Sequence, residues 1–148
     1  MSRTSRQGLD LIRHFESFRP TVYLCPAGYP TVGYGHVVLL GEDFSEGLTE
    51  AQATALLAKD VQLVERQVLG LTPASRRHLD QGQFDALVSF TFNLGAGAYQ
   101  RSTLRQCVLA GHDDLVPDQL MRWVRAGGRT LAGLVRRRQA EAMLYRPV

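Results

Sequence analysis

The sequence predicts an α+β protein in which one long helix joins a small β-hairpin lobe to a larger α-helical lobe. Three observations support this fold class. Residues 21–40 combine β-prone residues with closely spaced glycine and proline. Residues 49–69 carry one apolar stripe at helical spacing, and the segments after residue 74 keep that periodicity. A chain of 148 residues can bury a core, so we expect a single domain over residues 1–148.

The N-terminal helix is predicted from residue 5 to about residue 18. Leu9 and Ile12 fall near each other at helical spacing, and Glu16 follows one turn after Ile12. The carboxylate of Glu16 is therefore expected at the edge of an apolar stripe. Pro20 stops the helix, because proline cannot donate the backbone hydrogen bond that a further turn needs.

The β lobe is predicted over about residues 19–47. Two β-prone stretches, 21–24 and 31–34, are separated by turn residues, which predicts a small hairpin or a three-stranded sheet. Residues 41–47 are bounded by glycines and are predicted as a loop.

The linking helix is predicted over about residues 49–69. Thr49 and Gln52 have the spacing of a capping box, in which two side chains satisfy backbone N–H groups at the start of a helix. Gly70 and Pro73 mark the end of the helix. Its apolar stripe consists of Ala53, Leu57, Val61, Val64 and Val68.

The α-helical lobe is predicted over about residues 74–148, as a bundle of short helices. Serine, threonine and glycine interrupt the periodicity and set the predicted boundaries. The predicted helices span about residues 83–93, 102–111, 116–125 and 134–145.

Composition places the chain among ordinary globular proteins, with 45% apolar and 21% charged residues. It has no apolar run near the roughly 20 residues needed to cross a bilayer. The polar N-terminus lacks the apolar core of a signal peptide, so we expect synthesis in the cytoplasm. Lys59 is the only lysine, and the net charge of +3 rests on arginine, which favours an anionic polymer as partner.

The cysteines and histidines do not indicate a metal site. Cys25 and Cys107 are too few for a disulfide framework and are expected as free thiols. The four histidines are widely spaced without a ligand pattern, so we predict no metal and no cofactor. His36 is interpreted as a structural histidine that pairs with Asp60 on the linking helix.

The main chemical motif is a carboxylate, a thiol and a hydroxyl at Glu16, Cys25 and Thr31. One proton donor opposite two groups that can orient a water is the layout needed to hydrolyse a glycosidic bond. Leu9, Ile12 and Phe15 could supply part of the apolar wall that such a proton donor needs. Taken singly, Glu16 also fits a helix-end carboxylate in a salt bridge, and Thr31 fits an ordinary strand residue.

The spacing of this motif resembles the signature of the phage-type lysozymes, the muramidase endolysins of tailed bacteriophages such as the T-even and lambdoid phages. Eight residues separate Glu16 from Cys25, five separate Cys25 from Thr31, and a Gly-x-Gly-His hairpin ends at His36. Residues 83–95 resemble the central helix of the family, and residues 122–141 resemble its C-terminal block. The resemblance spans about residues 5 to 145.

The resemblance implies a cleft between the two lobes and cleavage of the β-1,4 bond between N-acetylmuramic acid and N-acetylglucosamine in peptidoglycan. Glu16 matches the general acid, and Thr31 matches the hydroxyl that helps to place the water. Cys25 stands where many members have Asp. A water held by Cys25 and Thr31 implies inversion, whereas direct attack by Cys25 implies a covalent step. We favour the water.

Further site residues and partners follow from the resemblance. Phe92, Asn93 and Thr103 align with substrate-binding positions of the cleft. One arginine of 136–138, with Arg137 near the site, is expected to reach back to Glu16 or to line the cleft. Successive helix positions point about 100° apart, so at most one or two of the three can face it. The expected partners are peptidoglycan, anionic outer-membrane lipopolysaccharide and a holin. The holin would release a monomer from the host cytoplasm to the periplasm and cell wall.

Other hypotheses remain open. A lytic transglycosylase also uses one carboxylate, but it forms 1,6-anhydro products and needs no water. A chitinase-like enzyme would differ in substrate. An Arg-rich binding module for an anionic polymer is a non-enzymatic alternative, although the basic run at 136–138 is short and has little aromatic interleaving for nucleic acid. The C-terminal basic helix could also disturb an anionic membrane as an accessory activity.

Overall fold

The computed structural model describes residues 2–146 and confirms the α+β class. Its helices are α1 (Arg6–Glu16), α2 (Glu50–Leu71), α3 (Gln81–Leu94), α4 (Ala96–Arg101), α5 (Thr103–Leu109), α6 (Val116–Leu120) and α7 (Ala132–Tyr145). Its strands are β1 (Arg19–Leu24), β2 (Pro30–Gly33), β3 (His36–Val37), β4 (Arg125–Ala126) and β5 (Arg129–Thr130), and a 3-10 turn spans Asp113–Leu115.

The β lobe is a three-stranded antiparallel sheet in the order β1-β2-β3. Thr31 pairs with Val37, and Val32 pairs with His36. Residues 31–33 of β2 are buried, while β1 is largely exposed. The sheet packs on α2 through β2 and β3, so the linking helix fixes the position of the hairpin.

Helix α1 packs against α3 and α7 of the helical lobe. The Ser5 side chain caps it by accepting from the Gly8 amide, 3.2 Å away. A Cβ at Gly8 would lie 2.7 Å from Cγ of Asp85, so glycine permits this close approach of α1 to α3. The helix ends at Glu16, two residues before the predicted end. The first helix in the sequence therefore belongs to the helical lobe, and the β lobe begins only after it.

Helix α2 has the predicted capping box, with Thr49 and Gln52 bonding each other's backbone N–H groups. All five apolar positions of its predicted stripe are buried. Glu65 is also buried on this face, where its carboxylate accepts from the amide and the hydroxyl of Thr4 at 2.6 and 2.7 Å. The N-terminal segment is thereby attached to the middle of α2.

Helix α3 is the centre of the helical lobe, with buried residues continuous from Gln83 to Thr91. It packs against α1, α2 and α7. Asp80 and Gln83 form a capping box that starts the helix two residues before the predicted start. The core residues below 2% exposure around it include Ile12, Val68, Leu87, Phe90, Tyr99 and Leu120.

The predicted helix over 116–125 is wrong beyond Leu120. Residues 125–130 form the β4–β5 hairpin, in which Ala126 pairs with Arg129. Gly127 and Gly128 have positive φ of 59° and 76°, and two such residues form the two-residue turn that joins antiparallel strands. This pair therefore forms a hairpin turn and not only the predicted helix stop, and α4 has no counterpart among the predicted helices.

Buried charges join α7 to α3. Arg138 and Glu141 are 0% exposed, with 2.7 Å between Nε and Oε1. Ser89 donates to Glu141 at 2.6 Å, and Arg138 donates to Oδ1 of Asn93 at 2.6 Å. A buried charge is tolerated only when paired and hydrogen-bonded, so these contacts fix the rotation of α7 on α3.

His36 joins β3 to α2. Its Nδ1 lies 2.7 Å from Asp60 of α2, and its Nε2 lies 2.8 Å from Glu42 of the preceding loop. Burial by itself lowers the pKa of His36, but the hydrogen bonds and charges of Glu42 and Asp60 outweigh it and raise the pKa. The contact with His36 lowers the pKa of Glu42, whereas burial raises the pKa of Asp60.

We predict that His36→Gln destabilises the protein more at pH 6 than at pH 8.5. A raised pKa in the folded state means that the stabilisation is complete below the unfolded pKa of about 6.5 and is lost as the pH rises through the folded pKa. The difference between the two pH values should be on the order of 1 kcal/mol in urea unfolding. His78→Gln, at an exposed position, is the control; equal His36→Gln effects at both pH values would contradict the prediction.

Ser17, directly after Glu16, has φ 61° and ψ 142° and is the one non-glycine with positive φ among residues 2–146. That conformation costs about 1–3 kcal/mol for a residue with a Cβ. We predict that Ser17→Gly raises the free energy of unfolding by about 1 kcal/mol, after the entropy of the unfolded glycine is subtracted. Ser17→Ala keeps the Cβ and should change stability little; a glycine variant no more stable than the alanine variant would refute the strain.

Candidate active site

Glu16 is the last residue of α1, and its side chain is 20% exposed. Nη1 of Arg137 donates to its Oε2 at 2.6 Å. Its Oε1 faces the β lobe, because a Cβ at Gly35 would lie 2.9 Å from it. Gly35 also has φ +79°, so glycine is required there both for backbone conformation and for space. The carboxylate thus lies between the hairpin and α7.

Several contacts besides the one with Glu16 fix the position of the Arg137 guanidinium. It is 3% exposed, and its Nη2 donates to the backbone oxygen of Ser89 at 3.2 Å. Its Nε lies 3.5 Å from Glu141, and the guanidinium stands 5.9 Å from the ring centroid of Phe15. The fixed fork of an arginine then has Nη1 available for the Glu16 carboxylate.

The three consecutive arginines therefore have three different environments. Arg137 is the one that contacts Glu16. Arg138 is wholly buried beside Glu141, and Arg136 is exposed. Helical geometry turns each by about 100° from the next, which separates their environments.

Two cavities of about 480 and 470 Å³ meet at Glu16 and Asn93 and together form the cleft. The first cavity lies towards α7, and the second lies between the hairpin and α2. The lining of the first includes His14, Phe15, Leu131, Leu134 and Arg136. The lining of the second includes Gly35, Val37, Leu39, Asp60, Leu63 and Phe92.

Apolar contacts around Glu16 differ from the predicted wall. Phe15 lines the cleft as expected. Ile12 is instead completely buried in the core, and Leu9 packs against the core. The expectation that Leu9 and Ile12 form the wall is therefore wrong, because Ile12 is enclosed in the core and Leu9 packs against the core on the side of α2. Leu131, Leu134 and Phe92 supply apolar surface to the cleft instead.

Cys25 and Thr31 lie together at the β1–β2 connection. The Cys25 amide donates to the carbonyl oxygen of Tyr29 at 2.9 Å, and the Thr31 hydroxyl donates to the same oxygen at 2.9 Å. Cys25 is a free thiol of intermediate exposure, and Thr31 is buried. The lining of the two cavities around Glu16 includes neither residue.

The environment of Cys25 favours its thiolate. A backbone hydrogen bond at Tyr29 is the largest cause that lowers the pKa of the thiol from 9.0, and burial opposes it. Smaller contributions from Ala27, Gly28 and the Thr31 side chain act in the lowering direction. Thiolates are both better bases and better nucleophiles than thiols.

The predicted substrate-binding residues fall in two places. Phe92 and Asn93, at the end of α3, line the cleft, and Asn93 borders both cavities. Thr103 is exposed at the first position of α5 and does not belong to the lining of either cavity. The neighbouring Ser102 is the residue that caps α5.

Sequence reasoning missed several cleft residues. The pairing of Arg138 with Asn93 has no sequence signature, because 45 positions separate the two residues. Leu134 is predicted only as the first residue of the last helix, and Leu131 lies between two predicted helices, because the β4–β5 hairpin that positions them is not predicted. Gly35 could have been identified from the Gly-Tyr-Gly sequence, since closely spaced glycines often mark a close backbone approach.

Within residues 2–146, no group of three or more His, Cys, Asp and Glu side chains is placed to hold a metal ion. No helix in the same range is long and apolar enough to span a membrane.

Comparisons with known proteins agree with this architecture. A sequence model of the phage lysozyme family matches residues 13–141. The chain is 37% identical over 145 residues to an endolysin of Bacillus phage B103, covering 95% of this chain and 53% of that protein. Identity is also 37% over 145 residues to an endolysin of Acyrthosiphon pisum secondary endosymbiont phage 1, covering 95% and 96%. The chain spans about half the length of the first relative and nearly all of the second.

A solved structure shows the same fold over the whole chain. The muramidase domain of SpmX from Asticaccaulis excentricus superimposes with a TM-score of 0.88 at 32% identity, covering 100% of both chains. The family match covers most of the sequence, and a relative of nearly equal length is more than 30% identical. The chain belongs to the phage lysozyme family.

Proposed function

We propose that the chain hydrolyses the β-1,4 bond between N-acetylmuramic acid and N-acetylglucosamine in bacterial peptidoglycan, with Glu16 as general acid. One observation carries the proposal: a carboxyl group lies between Arg137 and Gly35 at the point where two cavities meet. A strand bound through both cavities would cross Glu16 in its middle. The relatives named endolysin and muramidase support the same substrate class.

Arg137 assists the proton transfer in this mechanism. As Glu16 gives its proton to the leaving oxygen, negative charge develops on the carboxylate. The guanidinium at 2.6 Å stabilises that charge, and its other contacts have already fixed its position. The interaction strengthens along the reaction, which is the condition for lowering the barrier.

Cys25 and Thr31 hold the attacking water in the proposed mechanism. Backbone hydrogen bonding at Tyr29 lowers the pKa of the Cys25 thiol, which is the direction that a base needs, and Thr31 lies next to it on the hairpin. Attack of that water on the face opposite Glu16 inverts the anomeric carbon. Direct attack by the thiolate would instead form a covalent intermediate and retain the configuration.

A lytic transglycosylase is the second candidate, since it also needs one carboxyl group. It leaves no role for a water-holding pair, and the proximity of Cys25 and Thr31 therefore favours hydrolysis. An arginine-rich binding surface built on 136–138 is less favoured, because Arg137 and Arg138 are buried. The same burial weakens the membrane-disturbing role of the C-terminal helix.

The wider biological role follows from the substrate. We propose a monomer that causes lysis of the host cell by acting on its wall. Synthesis in the host cytoplasm, release to the periplasm through a holin lesion and contact with anionic lipopolysaccharide belong to the same proposal.

We predict that purified peptidoglycan digested by the wild type yields fragments with a free reducing N-acetylmuramic end, and that Glu16→Gln lowers the rate about 100-fold or more. Mass spectrometry of the released fragments measures both. Circular dichroism confirms that the variant is folded. Anhydro ends would make the chain a transglycosylase, and the absence of any cleavage by the wild type would overturn the enzymatic proposal.

We predict that Cys25→Ser lowers the rate roughly tenfold to a hundredfold, whereas Cys25→Asp stays within about tenfold of the wild type. Serine cannot supply an anionic base near neutral pH, but aspartate can. The ratio of the wild-type rate to the rate of the aspartate variant should rise with pH towards the lowered thiol pKa, because both enzymes need protonated Glu16 and only the thiol still has to lose a proton. Cys107→Ala controls for the loss of a thiol elsewhere, and a fully active Cys25→Ala would remove Cys25 from the mechanism.

A further inference from the structure

The C-terminal segment, which forms one wall of the cleft, carries an excess of positive charge. Residues 119–140 contain six arginines and no aspartate or glutamate. Arg137 and Arg138 are paired with Glu16 and Glu141 inside the protein. The remaining four are exposed and form no ion pair within residues 2–146: Arg122, Arg125, Arg129 and Arg136.

Arg136 is the member of this group that lines the cleft itself. Its Nη2 lies 3.9 Å from the position of a Cβ at Gly133, so the guanidinium turns back along the first turn of α7. Among the described residues that line this cavity, Glu16 is the only one with a carboxyl group, and its Oε2 is already in contact with Arg137. The cavity on this side of Glu16 therefore offers an unpaired guanidinium to whatever the cleft binds.

The start of α7 adds to the positive potential at this place. Leu131 is its N-cap, no side chain caps the helix, and its first turn contains no acidic residue. The N–H groups at a helix start carry partial positive charge and favour an anion. Gly133 of this turn and Arg136 line the same cavity.

The other cavity has a different charge balance. Its lining contains Lys59 and Asp60, and Asp60 is engaged with His36. The two sides of Glu16 thus differ, with a cationic side towards α7 and a mixed side towards α2. A substrate with anionic groups would be placed asymmetrically about the reacting bond.

We propose that Arg136 binds a carboxylate of the peptide stem carried by the N-acetylmuramic unit next to Glu16. This inference rests on the proposed function. The polysaccharide backbone of the substrate is uncharged, and its carboxylates lie on the peptide stems. An arginine fork suits a carboxylate because it can donate two parallel hydrogen bonds. Arg136 therefore recognises stem-bearing strands, while Glu16 and Asn93 border the region of the sugar chain.

The test compares peptidoglycan with peptidoglycan whose stem carboxylates have been converted to amides by carbodiimide and ammonia. On untreated wall, Arg136→Gln should lower kcat/KM about tenfold, the effect of losing one charge-assisted contact. On amidated wall, the wild type should fall to the level of the variant, and the variant should be indifferent to the treatment. Arg66→Gln, an exposed arginine on α2, is the matched control and should follow the wild type on both substrates.

Several results would overturn the inference. An equal loss for Arg136→Gln on both substrates would mean that Arg136 acts on the sugar or on Glu16, and no loss on either would make it a solvated arginine. A defect seen only with intact cells, and not with purified wall, would assign the exposed arginines to the outer membrane. In each case the wild type still cleaves the wall, whereas a wild type that cleaves neither substrate would refute the proposed function itself.

Discussion

The ion pair between Glu16 and Arg137 joins the end of the first helix to the last helix, residues 121 positions apart in the chain. Arg137 is buried among Ser89, Glu141 and the ring of Phe15, and it shares the Glu141 carboxylate with Arg138, so its charge requires a further carboxylate partner within reach. Glu16 meets that requirement from α1, and α1 in turn packs on α3 and α7. The same contact that completes the helical lobe also fixes the carboxyl group at the cleft.

The hairpin meets this arrangement from the other side. Gly35 comes so close to Oε1 of Glu16 that a side chain would not fit, while His36 attaches β3 to α2 through Asp60. Each lobe therefore contributes one fixed neighbour to the carboxyl group. The strained backbone of Ser17 lies between them, at the point where α1 gives way to β1. Such strain is tolerated because the surrounding contacts determine the position of Ser17.

The sequence predicted those parts of the fold that depend on local patterns. The capping box at Thr49 and the stripe of α2 are local, and both were correct. In the sequence, the glycines at 127 and 128 fit a helix stop and a hairpin turn equally well. Only the pairing of β4 with β5 shows that they form a hairpin turn. Tertiary contacts decided this choice, as they decide most choices between competing local structures.

The same division between local patterns and tertiary contacts applies to the residues of the candidate site. The position of Glu16 followed from a helical pattern, and its partner was narrowed to three arginines by the resemblance to a known family. Only the packing of α7 on α3 selects Arg137 among them. Leu9 and Ile12 share the apolar stripe of Glu16, but the sequence does not reveal that the stripe faces the core while Glu16 faces the cleft. Thr103 illustrates the same limit, since its exposed position depends on how α5 is oriented.

The most direct test of the central contact is a double-mutant cycle for unfolding in urea with Glu16→Gln, Arg137→Gln and both together. A pair that joins two elements of the fold should show a coupling free energy of about 1–3 kcal/mol. The same cycle with Arg136→Gln in place of Arg137→Gln should show almost none, because Arg136 forms no ion pair with Glu16. Additive effects of Glu16→Gln and Arg137→Gln would contradict this role of the ion pair, since α1 and α7 would then be positioned without it.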